Sequence, residues 1–163
     1  MKNVLIINGH EHYDEVAEGN LTKIYIDTTT AFLKAQGFSV KHAVVESDYD
    51  SQGEVEKFVW ADYIIFQYPV YWMGLPAKAK KYIDEVFTKG HHNGLSESDG
   101  RSRDDASKKY GTRGLMKDKK DTVRITYTCP RTEVDNKEAS FEWLSADEAN
   151  KATRKAVEFR VTS

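Results

Sequence analysis

Four short apolar runs, spaced by helical patterns, constrain this chain more than any other feature. Val4–Ile7 is a β-rich run that stops at Asn8-Gly9, which reads as a buried strand followed by a turn. Leu21, Ile24, Thr28, Ala31, Phe32 and Ala35 then recur at three- and four-residue spacing ahead of Gly37, predicting a helix with its stop signal. Val40–Val45 reads as a second strand, Val55, Phe58 and Val59 as the face of a short helix, and Tyr63–Gln67 as a third buried strand. Pro76 stands where a first helical residue tolerates a missing N–H, and Ala79, Tyr82, Ile83, Val86 and Phe87 mark the helix beyond it. Thr122–Thr128 reads as a fourth, partly buried strand, and Ser145–Glu148 is a capping box for a last helix to about Phe159. Strand and helix in short alternation predict an α/β fold, an open parallel sheet with helices on both faces.

With 163 residues, no internal repeat and no Pro- or Gly-rich linker, residues 1–163 are expected to form one domain. A net charge of −2 gives no general attraction to nucleic acid or to an anionic membrane. The apolar run at the N-terminus is too short for a signal peptide or a membrane span. A single cysteine, Cys129, suits a reducing compartment, and the expectation is a soluble cytoplasmic protein. One segment stands apart. Gly90 to Lys120 has no apolar periodicity and carries eight Lys or Arg, which reads either as a functional loop or as a solvated basic one.

In a doubly wound sheet, ligands sit outside the carboxyl ends of the strands. Three segments meet there. The loop from Gly9 to Asn20 leads into a helix N-terminus, which can hold a phosphate. It is neither G-x-G-x-x-G nor a lysine-bearing phosphate loop, so a Rossmann NAD site and a nucleotide triphosphatase are disfavoured. His10 and His12 offer donors, whereas Glu11, Asp14, Glu15 and Glu18 oppose an anion; the alternative is a plain turn. The second segment, Pro69-Val70-Tyr71-Trp72-Met73-Gly74, sets flat aromatics beside a glycine, which suits a planar heteroaromatic ring, or else a cover over the next helix or a subunit contact. The third, Thr126-Tyr127-Thr128, offers hydroxyls and N–H groups to the polar edge of such a ring. His91-His92 lacks the neighbours of a metal site, so no metal is expected. No G-x-S-x-G elbow is present, and nothing beside Cys129 marks it as a nucleophile.

Taken together, NVLIING, the run WADYIIFQYPVYWMGLPAKAKKYIDEVF and the stretch SDGRSRDDASKKYG resemble the flavodoxin-like NAD(P)H:quinone reductases, from about Asn3 to about Phe159. The resemblance implies a flavodoxin-like fold and a homodimer. It also implies bound FAD, with FMN less favoured, passing a hydride from NADPH or NADH to a quinone. By the same resemblance, His10, His12, Val16, Ala17, Glu18, Gly19 and Asn20 would hold the FAD phosphates. Pro69, Val70, Tyr71 and Trp72 would lie against the isoalloxazine, and Thr126, Tyr127 and Thr128 would bond its pyrimidine side. Tyr71, Trp72 and Tyr127 would orient the reacting rings, with Tyr71 and Trp72 exposed until a flavin covers them. Arg101, Arg103, Lys108 and Lys109 would help place phosphates, or simply be solvated. Relatives continue for about another strand and helix past EFRVTS, so the C-terminal strand and helix are expected to be missing and a second subunit to cover the open edge. Two other readings stay open: an FMN-carrying electron carrier, and a flavin-free dimerising or regulatory remnant.

Overall fold

The apolar run at Val4–Ile7 has no polar side to give to water, and it lies where both sheet faces are covered. The computed structural model describes residues 2–103, 105–126 and 151. In chain order the elements are β1 (Asn3–Asn8), α1 (Asn20–Ala35), β2 (Ser39–Val44), α2 (Ser51–Trp60), β3 (Tyr63–Pro69), α3 (Ala77–Gly90) and β4 (Lys120–Thr126). The strands form one parallel sheet in the order β2-β1-β3-β4. Leu5 and Ile7 point into a core with Val55, Phe58, Tyr82 and Val86 of α2 and α3. Val4 and Ile6, one residue out of phase, pack with Ile26 and Leu33 of α1. Successive side chains on opposite faces thus place helices on both sides, as the alternation of elements predicts.

The carboxyl ends of the strands align. Asn8 pairs with Val44 and with Gln67, and Pro69 with Thr126. Just past β1 the Gly9 N–H donates to the Gln67 carbonyl at 2.8 Å, and a Cβ on Gly9 would stand 2.8 Å from the Tyr68 Cβ. Only glycine lets the first loop leave the sheet that close to β3.

The end of α1 follows its predicted signal. Gly37 takes a left-handed φ of 82°, with its N–H on the Lys34 carbonyl and the Phe38 N–H on the Leu33 carbonyl, a Schellman ending for α1. Asp50 caps α2 by accepting from the Gly53 N–H at 2.7 Å. Pro76 sits one position before the helix rather than in it, with α3 beginning at Ala77. Strand β3 runs on to Pro69, and β4 starts at Lys120, two residues before its predicted start. The helix expected from Ser145 to Phe159 lies outside the described residues except for Lys151, which is helical.

The predicted faces of the helices needed correction. On α1 the buried residues are Thr22, Ile26, Thr29 and Leu33, while Ile24 is 41% exposed and Ala31 and Ala35 face water. Threonine carries a methyl that packs as well as a hydroxyl that bonds locally, so two threonines substitute for the apolar residues that the spacing selected. On α2 Val55 and Phe58 are buried as expected, but Val59 is exposed and Glu54 is buried at 5% exposure. Glu54 accepts from the Tyr82 hydroxyl at 2.8 Å and from Lys57 Nζ at 2.7 Å, so its charge is paired and bonded. Burial, followed by this bond, raises the Tyr82 phenol above its ordinary pKa.

The basic segment after α3 is anchored without periodicity. Leu95 is buried in the α2–α3 core and Met116 packs against the same cluster. The chain returns on itself through Leu115 N–H to the Leu95 carbonyl and Glu97 N–H to the Arg113 carbonyl. Further out, the Gly111 N–H meets the Asp99 carbonyl, and Thr112 Oγ1 donates to the Gly100 carbonyl. A Cβ at Gly100 would lie 2.5 Å from Thr112 Oγ1, so the glycine in SDGR serves this closure.

The α1 face is open to test by urea denaturation. Leu33→Ala is expected to lose about 2–5 kcal/mol of stability. Ile24→Ala should stay within about 0.5 kcal/mol. A large loss at Ile24 would restore the face that spacing alone selects.

Candidate active site

The loop between β1 and α1 is tied down at several points before it reaches the helix. Glu11, read from the sequence as an obstacle to anions, is buried and turned toward α3, where its Oε2 accepts the Lys78 N–H at 3.1 Å. It thereby serves a helix whose N-cap, Pro76, makes no side-chain capping bond. The next residue donates its His12 N–H to Glu46 Oε1 at 2.9 Å, and Lys78 Nζ reaches the same oxygen at 3.0 Å. Burial alone would raise the Glu46 carboxyl, but the His12 N–H and the Lys78 ammonium outweigh it and hold the pKa low. Beyond this, Tyr13 and Ala17 exchange backbone hydrogen bonds at 3.1 and 2.8 Å, folding the loop into a small reversal.

What remains is a cavity of about 310 Å³, lined by residues 15–22 together with His10, Pro69 and Tyr71. Its floor is the start of α1. Gly19 is the N-cap, with φ 83° and no side chain to cap the helix, and the first turn carries no acidic residue. The N–H groups of Asn20, Leu21 and Thr22 have no intrahelical acceptor there. His10 is only 8% exposed and its Nε2 has no hydrogen-bond partner. A Cβ on Gly19 would lie 2.7 Å from that Nε2, so the ring is seated directly against the helix cap. Burial lowers the His10 pKa below its ordinary value, opposed by the Glu46 carboxylate and the Ala17 carbonyl. The unpaired helix N–H groups form a donor set that fits a phosphate, and the buried imidazole nitrogen lies beside them. Glu15 and Glu18 also border the cavity, and Asn20 Nδ2 reaches Glu18 Oε2 at 3.3 Å.

Tyr71 and Trp72 are adjacent in sequence but opposite in role. Both were expected to be exposed, yet Tyr71 is half-buried. Its hydroxyl donates to the Glu11 carbonyl at 2.7 Å, and its ring stands edge-on to His10 and Tyr13. Burial first, then Tyr13 and the Glu11 and Glu46 carboxylates, push its phenol up to about 12. Trp72 is 101% exposed and Met73 89%. The Tyr71 and Gly74 backbones exchange hydrogen bonds at 2.9 and 3.0 Å, leaving Trp72 and Met73 as the central pair of the turn, with φ 47° and 66°. Two consecutive left-handed residues are the mark of a type I′ turn, a place for Asn-Gly rather than Trp-Met. Gly74 was expected to allow close approach of the backbone to a ring. Within the chain its Cβ position is open, with only the Tyr71 carbonyl near it, at 3.9 Å.

Of the residues selected from sequence, His10, Val16, Ala17, Glu18, Gly19, Asn20, Pro69 and Tyr71 line this cavity. His12 does not; its ring is partly exposed and pairs with Asp14 at 2.9 Å. Val70 and Trp72 lie on the turn after β3, outside the lining. Thr126 ends β4 opposite Pro69, while Tyr127 and Thr128 lie outside the described residues. Glu11, Glu46 and Lys78 were missed as loop anchors, because nothing in their local pattern links positions this far apart in sequence. Arg101 is paired with Asp99 at 2.6 Å and lies 5.8 Å from the Tyr110 ring centroid, and Lys108 is 3.6 Å from Asp105. Neither borders the cavity at α1. Among the described residues no cluster of His, Cys, Asp and Glu could hold a metal ion.

Comparison with known proteins agrees with this architecture. The family profile of the flavodoxin-like fold matches residues 2–159. This chain belongs to that family. It is 38% identical over 128 residues to the NADPH:quinone oxidoreductase MdaB of Haemophilus influenzae, covering 78% of this chain and 66% of that protein. The chain therefore spans just under two thirds of the length of that relative. Among solved structures it shares its fold with an NAD(P)H:quinone oxidoreductase from Methanothermobacter marburgensis, at 19% identity and a TM-score of 0.56, over 95% of this chain and 94% of the other. An FMN-dependent NADH-azoreductase from Bacillus anthracis matches at 12% identity and a TM-score of 0.56, over 99% and 98% of the two chains.

The turn at Trp72 gives a direct test of stored backbone strain. Replacing the pair, Trp72→Asn with Met73→Gly, is expected to raise stability by about 1–3 kcal/mol, read from the urea midpoint. An unchanged or lowered midpoint would mean that the pair is held without strain.

Proposed function

We propose that this chain carries a flavin and works as an NAD(P)H:quinone reductase. The observation that carries the reading is the uncapped α1 N-terminus facing the cavity beside the unpartnered His10 Nε2. That donor set supports a phosphate-bearing cofactor, and the 38% identity to a quinone reductase supports the reaction class. FAD is the flavin we favour, with NADPH or NADH as donor, in a homodimer of the cytoplasm. A bound flavin supplies the hydride chemistry itself.

The residues of the chain then have distinct tasks. The N–H groups of Asn20, Leu21 and Thr22 hold the phosphate, with His10 behind them. Pro69 and Val70 bring backbone to the edge of the ring, and Thr126, Tyr127 and Thr128 close its polar side. Trp72 offers an aromatic face for stacking the ring or the incoming substrate. Tyr71, expected to lie against the isoalloxazine and orient the reacting rings, takes on a further task. Its hydroxyl keeps the first loop in place through Glu11, and with its phenol pushed up to about 12 it remains protonated at neutral pH. It therefore supplies no general base.

Glu15 and Glu18 at the cavity rim make the first loop acidic, which fits a second reading, an FMN electron carrier. One preparation separates the readings. Purified protein that is yellow, and that releases FAD on heating, supports the reductase; released FMN supports the carrier; a colourless protein that takes up neither flavin overturns both. Given bound flavin, Trp72→Ala is expected to reduce kcat/KM for quinone about 2–10-fold, the equivalent of losing one aromatic stacking contact. Because Trp72 is fully exposed, the thermal midpoint of the flavin-free chain should not fall. Unchanged kinetics would remove Trp72 from the site.

A further inference from the structure

The hydrogen bonds around His10 determine where its proton sits. A tyrosine hydroxyl has one proton, and Tyr71 donates it to the Glu11 carbonyl at 2.7 Å. The His10 Nδ1, 3.3 Å from the same oxygen, can then only donate to it. This arrangement favours the neutral His10 tautomer with its proton on Nδ1, which leaves a lone pair on Nε2. That lone pair is buried, has no donor, and faces the cap of α1 through the gap that Gly19 leaves. A lone pair repels an anion. A phosphate at the helix N-terminus is met by a donor at this position only if Nε2 becomes N–H.

We propose that a phosphate group seated at the α1 N-terminus is bound together with one proton, taken up at His10 Nε2, and that Tyr71 prepares this step by holding the imidazole in its Nδ1–H form. This rests on the flavin reading above and adds its pH dependence. The proton comes from solvent, the Nε2 lone pair forms the new N–H bond, and nothing is oxidised or reduced. The surroundings allow both states. Burial disfavours the charged ring when the site holds no anion, and His12 opposes it further; Glu46, Glu11 and the Ala17 carbonyl favour it. Lys78 partly offsets Glu46 through its 3.0 Å ion pair. Glu15 and Glu18 on the cavity rim would favour a protonated ring, and the first turn of α1 adds no acidic group. A bound anion tips this balance toward the imidazolium.

The sign follows from linkage. His10 has a lowered pKa without the anion, and a bound anion would raise it, so affinity would be greatest at low pH and fall as pH rises between the two values, by up to about tenfold per unit. Calorimetric titration of the flavin-stripped full chain with FAD, in phosphate-free buffers of different ionisation enthalpy near neutral pH, counts the protons directly. The wild type is expected to take up close to one proton per FAD. His10→Gln, whose amide can donate without titrating, should bind FAD with no uptake. Tyr71→Phe should take up less than one proton, with ¹⁵N histidine shifts showing both tautomers. Wild-type binding without proton uptake, or equal uptake in His10→Gln, overturns the linkage and leaves the flavin reading standing. A wild-type chain that binds neither FAD nor FMN overturns both.

Discussion

The pairing of β1 on both sides sets the rest of the molecule. Because Val4–Ile7 is apolar at every position, the strand cannot sit at an edge and has to be covered above and below. Pairing with β2 and β3 in parallel then requires a crossover on each side, and the crossovers are the helices that do the covering. One consequence is geometric. All loops that leave the carboxyl ends do so from the same edge, so the first loop and the Trp72 turn become neighbours although about sixty residues separate them.

At that edge, charge is arranged by a division of labour. A loop with four acidic residues looks hostile to phosphate as a string of letters. Folded, Glu11 faces away from the cavity to serve the N-terminus of α3, and Asp14 pairs with His12. The α1 N-terminus is left without such a partner. Two helices therefore present equivalent positive ends near one another, with one neutralised from within the chain and the other open. Net loop charge hides this distinction, because electrostatics at short range depends on which carboxylate points where.

How much of this could be read in advance depended on the range of the interaction. Strands, turns and helix ends rest on local chemistry, and Gly37 and the Val4–Ile7 run behave as their residue types require. The sheet type and the meeting of the first loop with the segment from Pro69 followed from the alternation of elements, while the resemblance singled out Gly19 and Asn20 within that loop. The α1 face was misjudged because the spacing counted Thr28 but passed over Thr22 and Thr29, whose methyl groups pack as branched hydrocarbon. Glu54 escaped notice for the opposite reason. A buried carboxylate is legible only once its partner is known, and Tyr82 is twenty-eight residues away. The left-handed pair at Trp72-Met73 runs against local propensity, so no turn rule selects it; the strain itself is the signal of a constrained position.

Helix α3 is held at two heights by unlike contacts. At its first turn the backbone of Lys78 is fixed to Glu11, and one turn later the Tyr82 hydroxyl is fixed to Glu54 of α2. Core packing of Ala79 and Val86 and the Tyr49–Glu85 hydrogen bond hold the helix as well. Together they define a single angular setting, because a rotation by one residue swings both groups away from their carboxylates. The helix thus acts as an indexed shaft between the cavity edge and the outer layer. Whatever ligand the edge receives, its anchoring loop is referenced through α3 to the packing of α2, and the position of the site is inherited from the core rather than from the loop.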